Sequence, residues 1–312
     1  MTRPDDQPVL ELSGLRKTYK GHLSLTSREV IKGLDLTIGR SEVFGLLGQN
    51  GAGKTTTIKM ILSLIFPDAG TIRIFGKPHT RVSIRHRIGF LPENPYFYDY
   101  LTGGEFLDFY GQLFGYGRAE RRRRADSVLG KVGMTHAATV PLRKYSKGML
   151  QRIGMAQALI NDPELVILDE PMSGLDPIGR REFRDIILEL KERGVTIFFS
   201  SHILSDAEAI CDRVGILKDG RIGVSGRLSD LLSPHVSSWD VTFVGPEFGR
   251  LGINGSKAHL LSAHGAESLV RVDAEPDLSH LLEAVRTAGG KLISVAARRE
   301  TLEDLFVREV KG

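Results

Sequence analysis

The sequence has almost no cysteine and no long apolar run. Its 312 residues include one cysteine, Cys211, so no disulfide can form within the chain. Cys211 lies in a helix-like run at residues 207–212, and we interpret it as a core side chain rather than a nucleophile. No apolar stretch approaches the roughly 18 residues of a membrane span, and no signal-peptide pattern is present at the N-terminus. We therefore expect a soluble, cytoplasmic chain.

An excess of one charge is also lacking. The chain has 42 basic and 38 acidic residues, and the net charge of +4 predicts no nucleic-acid partner, although it is compatible with a position near an anionic membrane. Residues 121–124 are four consecutive arginines. We interpret them as a solvated helix face rather than a nucleic-acid patch, because Glu120 precedes Arg124 by four residues and apolar residues follow at 128, 129 and 132.

What the sequence does have is a glycine-rich loop, GLLGQNGAGKTTT, at residues 45–57. It contains G-x-x-x-x-G-K-[ST] after a strand-like apolar run and before a helix-like run, which is the context this motif requires. Glycines let successive backbone N–H groups face a phosphate, so we predict binding of ATP rather than a chance turn. Lys54 would reach the outer phosphates, and the Thr55 hydroxyl would bind Mg²⁺. The predicted nucleotide-binding residues are Gly48, Gln49, Asn50, Gly51, Ala52, Gly53, Lys54, Thr55 and Thr56.

Apolar periodicity predicts an α/β fold with a mostly parallel sheet. Together with the glycine-rich loop, this fold resembles that of P-loop NTPases. Alternating runs at 9–12 and 34–38, around a polar segment at 20–28, predict an antiparallel β layer. Helical patterns fill residues 99–160, in which Thr102 and Glu105 form a capping-box sequence. A further helix is expected from Ser205, and Asp219-Gly220 indicates a type I′ hairpin turn. Composition changes at 233–235. We predict a flexible tail at 1–8, a nucleotide-binding domain at 9–232 and a small α+β accessory domain at 236–312.

Two carboxylates end a continuous apolar run at residues 165–168, which is typical of a strand covered on both faces. Asp169 is predicted to complete the Mg²⁺ shell with Thr55, and Glu170 to orient and deprotonate the attacking water. A helix cap in a loop is the alternative, but the four apolar residues before the pair and the proline after it favour the end of a strand. A second buried strand delivers His202 to the same edge of the sheet.

These motifs, together with residues 145–152 and 173–176, resemble the ATP-binding cassette (ABC) family, in particular the ATPase subunits of ABC-2-type exporters. The resemblance implies that His202 contacts the γ-phosphate and that Tyr19 stacks on adenine. As an isolated aromatic, Tyr19 would more often be a core or surface residue. Glu93 stands where the family usually has a glutamine that senses Mg²⁺. The implied signature loop, which departs from the commoner Leu-Ser-Gly-Gly-Gln form, consists of Ser146, Lys147, Gly148 and Met149.

The resemblance also implies partners. The signature loop would bind the nucleotide of a second cassette, either a copy of this chain or a related one, so that two ATP molecules lie between them. A separate integral-membrane permease would dock between the helical segment at 99–160 and the loop at Glu93, near the aromatic stretch at 95–100. The chain would then be peripheral on the inner face of the cell membrane. The C-terminal stretch at 301–306 resembles a tail that stabilises the dimer or regulates it.

Two alternatives remain from the sequence. A soluble ABC ATPase acting on ribosomes or DNA would generally carry two cassettes or a long coiled coil, whereas this chain has one phosphate loop and no internal repeat. A P-loop small-molecule kinase would need an acceptor-binding lid and would leave residues 146–152 unexplained.

Overall fold

The structure, a computed structural model, describes residues 7–20, 27–232, 236–253 and 257–311. Within these ranges the chain forms two compact units, one ending at Leu228 and the other spanning Ser229–Lys311. The division lies a few residues before the predicted junction at 232–236. The tail predicted at 1–8 lies outside the described residues except for positions 7 and 8, so it stays a prediction.

The first unit alternates strands and helices along most of its length. Its strands are β1 (Leu10–Lys20), β2 (Ser27–Ile38), β3 (Val43–Leu47), β4 (Ala69–Ile74), β5 (Lys77–Pro78), β6 (Ile88–Leu91), β7 (Leu165–Asp169), β8 (Thr196–Ser201), β9 (Arg213–Lys218) and β10 (Arg221–Arg227). Its helices are α1 (Lys54–Ile61), α2 (Gly103–Leu113), α3 (Arg118–Lys131), α4 (Lys147–Leu159), α5 (Pro177–Glu192) and α6 (Leu204–Ile210), and α7 (Leu228–Leu231) begins at the division between the units. Short 3-10 helices occupy Val82–Arg87, Thr135–Ala137 and Leu142–Lys144.

A six-stranded sheet with the order β10-β9-β3-β8-β7-β6 forms the centre of this unit. All its pairs are parallel except β9 with β10. Every residue of β3, β7 and β8 is buried, as their uninterrupted apolar sequences predicted. The mostly parallel sheet is therefore confirmed. Because parallel strands end at the same edge, the residues that follow β3, β7 and β8 are brought together.

A second sheet, with the order β2-β1-β4-β5, is antiparallel throughout and confirms the predicted β layer. Its buried side chains pack with α1 and the central sheet in one core. The strands are longer than predicted, because β1 continues to Lys20 and β2 begins at Ser27. The first residues of β2 are exposed, so these parts of the strands carry no apolar alternation. The middle of the polar segment, residues 21–26, lies outside the described residues.

Helices α2, α3 and α4 form the predicted helical segment. Thr102 caps α2 in the expected capping box, in which its hydroxyl accepts from the Glu105 N–H and the Glu105 carboxylate accepts from the Thr102 N–H. The arginine run on α3 is largely neutralised by carboxylates: Arg123 and Arg124 both bond Glu120 at 2.7 and 2.6 Å. Arg121 bonds Asp108 at 2.7 Å. Arg122 and Arg123 are exposed as predicted, whereas Arg121 and Arg124 are half-buried, so only part of the run is a solvated face.

Asp219 and Gly220 both have positive φ, 48° and 81°, which confirms the type I′ turn between β9 and β10. The predicted start of α6 at Ser205 is wrong. The helix begins at Leu204, and its N-cap is Ile203, which makes no side-chain cap. Cys211 ends α6, and its Sγ lies 2.7 Å from the position that a Cβ on Gly45 would take. Burial raises the pKa of this thiol well above its ordinary value, in agreement with a packed side chain.

The second unit is a small α+β fold. Its antiparallel sheet has the order β12-β13-β11-β14, formed by β11 (Val236–Val244), β12 (Ala258–His264), β13 (Glu267–Val272) and β14 (Lys291–Arg299). Helix α8 (Glu275–Thr287) contributes Leu281 and Val285 to a core with Val241, Phe243 and Val270, and α9 (Leu302–Lys311) ends the described chain. Strand β12 was not predicted, since its side chains are exposed or half-buried on both faces. Among the described helices, none has both the length and the apolar character of a membrane span.

Candidate nucleotide-binding site

The phosphate loop joins β3 to α1, as predicted. Gly51 and Gly53 have φ of 82° and 116°, which only glycine adopts readily, and Gly53 is the N-cap of α1. A Cβ on Gly48 would lie 2.6 Å from the Leu217 carbonyl oxygen, so this position also requires glycine. The loop thus passes tightly over the sheet edge and presents its N–H groups and the first turn of α1, the positive end of the helix, to a ligand.

Lys54 is a buried cation at the start of α1, with 5% of its surface exposed. Its Nζ donates to the carbonyl oxygens of Gly48 at 2.7 Å and Gln49 at 3.3 Å. The same Nζ forms an ion pair with Glu170 Oε1 at 3.0 Å. A buried ammonium is costly unless it is paired and hydrogen-bonded. The contacts of Lys54 satisfy both conditions and hold Nζ beneath the phosphate loop, where a bound phosphate would be a second anionic partner.

Asp169 meets two hydroxyl groups at the end of β7. Its Oδ1 accepts from Thr55 Oγ1 at 3.2 Å and from Ser200 Oγ at 2.6 Å. Ser200 Oγ also accepts from the Glu170 N–H at 3.0 Å, so this serine links both carboxylate residues to β8. We did not predict Ser200 as a site residue. Its signal in the sequence is a pair of serines that ends an otherwise apolar strand.

Glu170 is 6% exposed and has an unusual backbone conformation, with φ of 47°. Its Oε2 lies 2.7 Å from His202 Nδ1 and 3.3 Å from the His202 backbone nitrogen. Because a carboxylate only accepts, His202 Nδ1 carries the proton in this contact. Lys54 therefore pairs with Oε1 of Glu170, and His202 bonds Oε2 of the same carboxylate.

Lys54, Glu170 and His202 line a cavity of about 610 Å³, whereas Asp169 and Ser200 are not among its lining residues. The predicted residues that line it are Gln49, Asn50, Gly51, Gly53, Lys54, Thr55, Thr56, Glu93, Glu170 and His202. Arg28, Val30 and Ser173 line it as well, and none of the three was predicted as a site residue. Gly48 and Ala52 shape the loop without lining the cavity. Tyr19 is also outside the lining, but it pairs across the strands with Arg28. Its role in stacking stays a prediction.

The predicted signature loop faces a different cavity, of about 630 Å³, which includes Ser146, Lys147, Gly148 and Met149 and shares no lining residue with the first. Ser146 is the N-cap of α4 and accepts from the Met149 N–H at 3.3 Å. Lys147 lies over Gly174, where a Cβ would come within 2.9 Å of Lys147 Cε. The two loops therefore line two cavities that have no lining residue in common.

Comparison with known proteins identifies the family. The model described as "ABC transporter" matches residues 31–173. An ABC transporter ATP-binding protein of Synechocystis sp. is 44% identical over 311 residues, covering 99% of this chain and 86% of that protein. The chain belongs to the ABC transporter family.

Another relative of this cassette is the linearmycin resistance ATP-binding protein LnrL of Bacillus subtilis. It is 32% identical over 310 residues, which cover 96% of this chain and 97% of LnrL. The solved dimeric ATP-binding cassette MJ0796, in a post-hydrolysis state with ADP and Pi, has a TM-score of 0.64 and 26% identity, covering 70% of this chain and 98% of that one. The chain is thus an ABC transporter ATP-binding subunit and an ABC ATPase, which sets aside the small-molecule kinase alternative.

The donor atoms of this ABC ATPase fit Mg²⁺ bound together with a nucleotide. Thr55 and Asp169 offer oxygens in contact with each other, and Glu93 borders the same cavity. Mg²⁺ prefers oxygen ligands and usually takes one or two carboxylates together with phosphates and water. Among the described residues no group of three or more His, Cys, Asp or Glu could hold a metal ion without such help. A complete set of Mg²⁺ ligands at this site would therefore include oxygens of the nucleotide phosphates.

Proposed function

We propose that this ABC ATPase energises transport, in the direction of export, through a separate permease in the membrane. ATP and Mg²⁺ bind between two cassettes, which are two copies of this chain or this chain and a related one. Closure on ATP and opening after hydrolysis drive the permease. In this proposal the chain is a peripheral subunit at the inner face of the cell membrane.

The separation of the two phosphate-binding surfaces carries the proposal. The phosphate loop and the signature loop line cavities without a common residue, so one chain offers each nucleotide only part of a site. A second cassette related by a two-fold axis would place its signature loop against the phosphate loop of the first cassette. The signature loop of the first cassette would then lie against the phosphate loop of the second, as in an isologous dimer. The dimeric MJ0796 structure supports this arrangement.

The site residues have distinct roles in the proposed hydrolysis. Lys54 and the N–H groups of the phosphate loop hold the β- and γ-phosphates, where positive charge stabilises the transition state. Thr55, Asp169 and Glu93 would hold Mg²⁺, and the bound ion would supply positive charge next to the phosphate oxygens. Glu170 orients the attacking water and accepts its proton.

Three further groups complete the proposed nucleotide site. His202 both positions Glu170 through Nδ1 and contacts the γ-phosphate. Tyr19 stacks on adenine. The signature loop of the second cassette, residues 146–149, places Ser146 and Lys147 against the phosphates from the other side.

An exposed aromatic groove supports a permease partner. Tyr98, Tyr100 and Phe109 border a groove of about 670 Å³ on the helical segment, and Tyr96 nearby is 90% exposed. Exposed aromatics are enriched at protein interfaces because one side chain buries much apolar area and keeps a polar tip. A helix of the permease would fill this groove. The resistance function in the printed name of LnrL supports export.

The domain predicted at 236–312, which makes up most of the second unit, is proposed as an accessory domain that stabilises the dimer or regulates it. Its buried side chains form a core of their own, distinct from the core of the first unit, as expected of a separate domain.

The test is purification of the tagged chain from detergent-extracted membranes of its own cell, with ATPase measured for the wild type and Glu170→Gln. We expect a multi-span protein to co-purify, and hydrolysis to fall at least 100-fold in the variant while ATP binding persists. The exposed Glu192→Gln on α5 is the matched control and should keep its activity. Ribosomes or DNA in place of a membrane protein would favour the soluble ABC ATPase acting on those partners.

A further inference from the structure

Helix α4 contains a buried amide that the proposed chemistry does not use. Gln151 is 4% exposed, and its Nε2 donates to the carbonyl oxygen of Pro171 at 2.7 Å. From Ile153 onward the residues of α4 are mostly apolar and buried, among them Met155. An apolar side chain would fill the same buried volume, so what the amide adds is its hydrogen bond to the carbonyl oxygen of Pro171.

That carbonyl belongs to the residue directly after Glu170. The φ of 47° at Glu170 is rare for a residue with a side chain, and such a conformation costs about 1–3 kcal/mol unless its surroundings enforce it. Ser200 holds the Glu170 N–H, and the Ser173 N–H donates to the Glu170 carbonyl at 3.1 Å. Gln151 holds the next carbonyl along the chain. Three contacts therefore fix the turn that aims Glu170 into the cavity.

Of these three contacts, only that of Gln151 comes from the helix of the signature loop. Ser146 caps α4, and Gln151 lies five residues further along it. At 1.5 Å per residue, about 7.5 Å of rigid helix separates them. A displacement of the N-terminus of α4 therefore moves the amide of Gln151 against the Glu170 turn, with no flexible segment between them.

We propose that Gln151 is a positioning residue that makes the orientation of Glu170 depend on what the N-terminus of its own α4 binds. The inference rests on the proposed function, in which that N-terminus meets the nucleotide held by the second cassette. Binding of ATP at one site then adjusts Glu170 at the other site. Gln151 thus couples the two nucleotide sites within one chain and touches neither nucleotide.

The test compares Gln151→Met with Gln157→Met in the full chain. Methionine keeps the length of glutamine and removes the N–H donor, and Gln157 lies on the same helix with no side-chain bond to a described residue. Steady-state ATPase gives kcat and the Hill coefficient for ATP, and equilibrium binding gives the Kd for ATP. Urea unfolding checks that each variant is folded. Gln151→Asn, whose amide is one methylene too short for the bond, is the second variant if Gln151→Met does not fold.

For Gln151→Met we expect kcat to fall tenfold or more and the Hill coefficient to fall towards 1, with the Kd for ATP within twofold of the wild type. Gln157→Met should keep the wild-type values. Unchanged kcat and Hill coefficient in Gln151→Met, or the same losses in Gln157→Met, would overturn the inference. Failure of Glu170→Gln to dimerise with ATP would instead overturn the proposed dimer, so the two failures are distinguishable.

Discussion

Ser200→Ala removes the hydroxyl that joins both carboxylate residues to the central sheet. In the wild type this fully buried serine donates to Asp169 at 2.6 Å and accepts from the Glu170 N–H at 3.0 Å. A hydrogen bond to a charged group contributes about 1.5–3 kcal/mol, and a buried N–H left without an acceptor costs about 1–3 kcal/mol. Since Thr55 still bonds Asp169, we expect the free energy of unfolding to fall by about 3–4 kcal/mol.

The same substitution should weaken the response to Mg²⁺. Residues that hold a metal ligand in place typically account for about 10- to 100-fold in metal affinity or activity. We therefore expect the Mg²⁺ concentration that gives half-maximal ATPase to rise by about tenfold or more in Ser200→Ala. The two measurements are urea unfolding and ATPase activity titrated with Mg²⁺ at fixed ATP.

The neighbouring serine provides the matched control. Ser201 is also buried at the end of β8, but its hydroxyl bonds the backbone of Ile203 and no carboxylate. Ser201→Ala should lower the free energy of unfolding by about 1–3 kcal/mol, since neutral hydrogen bonds contribute about 0.5–1.5 kcal/mol each, without a change in the Mg²⁺ titration. Equal shifts of the Mg²⁺ midpoint in both variants, or none in Ser200→Ala, would refute the role assigned to Ser200.

Three further predictions concern other parts of the first unit. Gly174→Ala should lower the free energy of unfolding by about 1–2 kcal/mol because φ is positive there, and it should also reduce ATPase activity because the new Cβ would displace Lys147. Gly115→Ala, at a similar φ but with open space around it, should lower the free energy of unfolding and leave ATPase activity unchanged. Burial raises the pKa of Asp206, so its ionised form weakens the fold; in urea unfolding, Asp206→Asn should be more stable than the wild type at pH 7, and the difference should shrink as the pH falls through the raised pKa. A constant difference from pH 7 to pH 4 would contradict this. Tyr100→Ala should reduce recovery of the permease from detergent extracts, and the equally exposed Phe66→Ala should not.

Much of the first unit follows from its sequence because its signals are local or strongly periodic. The phosphate loop has fixed spacing, and β7 and β8 are short apolar runs of the kind typical of a strand covered on both faces. Their parallel order then brings Asp169, Glu170 and His202 to one edge. The capping box of α2 and the turn at Asp219 were equally readable, because each depends on two or three neighbouring residues.

What the sequence did not reveal depends on contacts between distant residues or on exposed strands. The first two residues of β2 are exposed, and the residues of β12 are exposed or half-buried, so burial leaves no alternation in these sequences. Ser200 becomes a site residue only because β7 and β8 are neighbours, and Lys147 reaches Gly174 only through the packing of α4. The start of α6 was misplaced because Ser205 belongs to a residue type that often caps helices, but it is the second residue of α6, two positions after the N-cap Ile203.

ATP-dependent dimerisation tests directly whether a second cassette completes the site. In sedimentation velocity, Glu170→Gln should be monomeric without nucleotide and dimeric with ATP and Mg²⁺, because bound ATP is not hydrolysed. Adding Gly148→Asp, which places a carboxylate in the signature loop, should abolish the dimer while ATP binding through the intact phosphate loop persists. A chain that stays monomeric with ATP, or a dimer that survives Gly148→Asp, would contradict a nucleotide site shared between two cassettes.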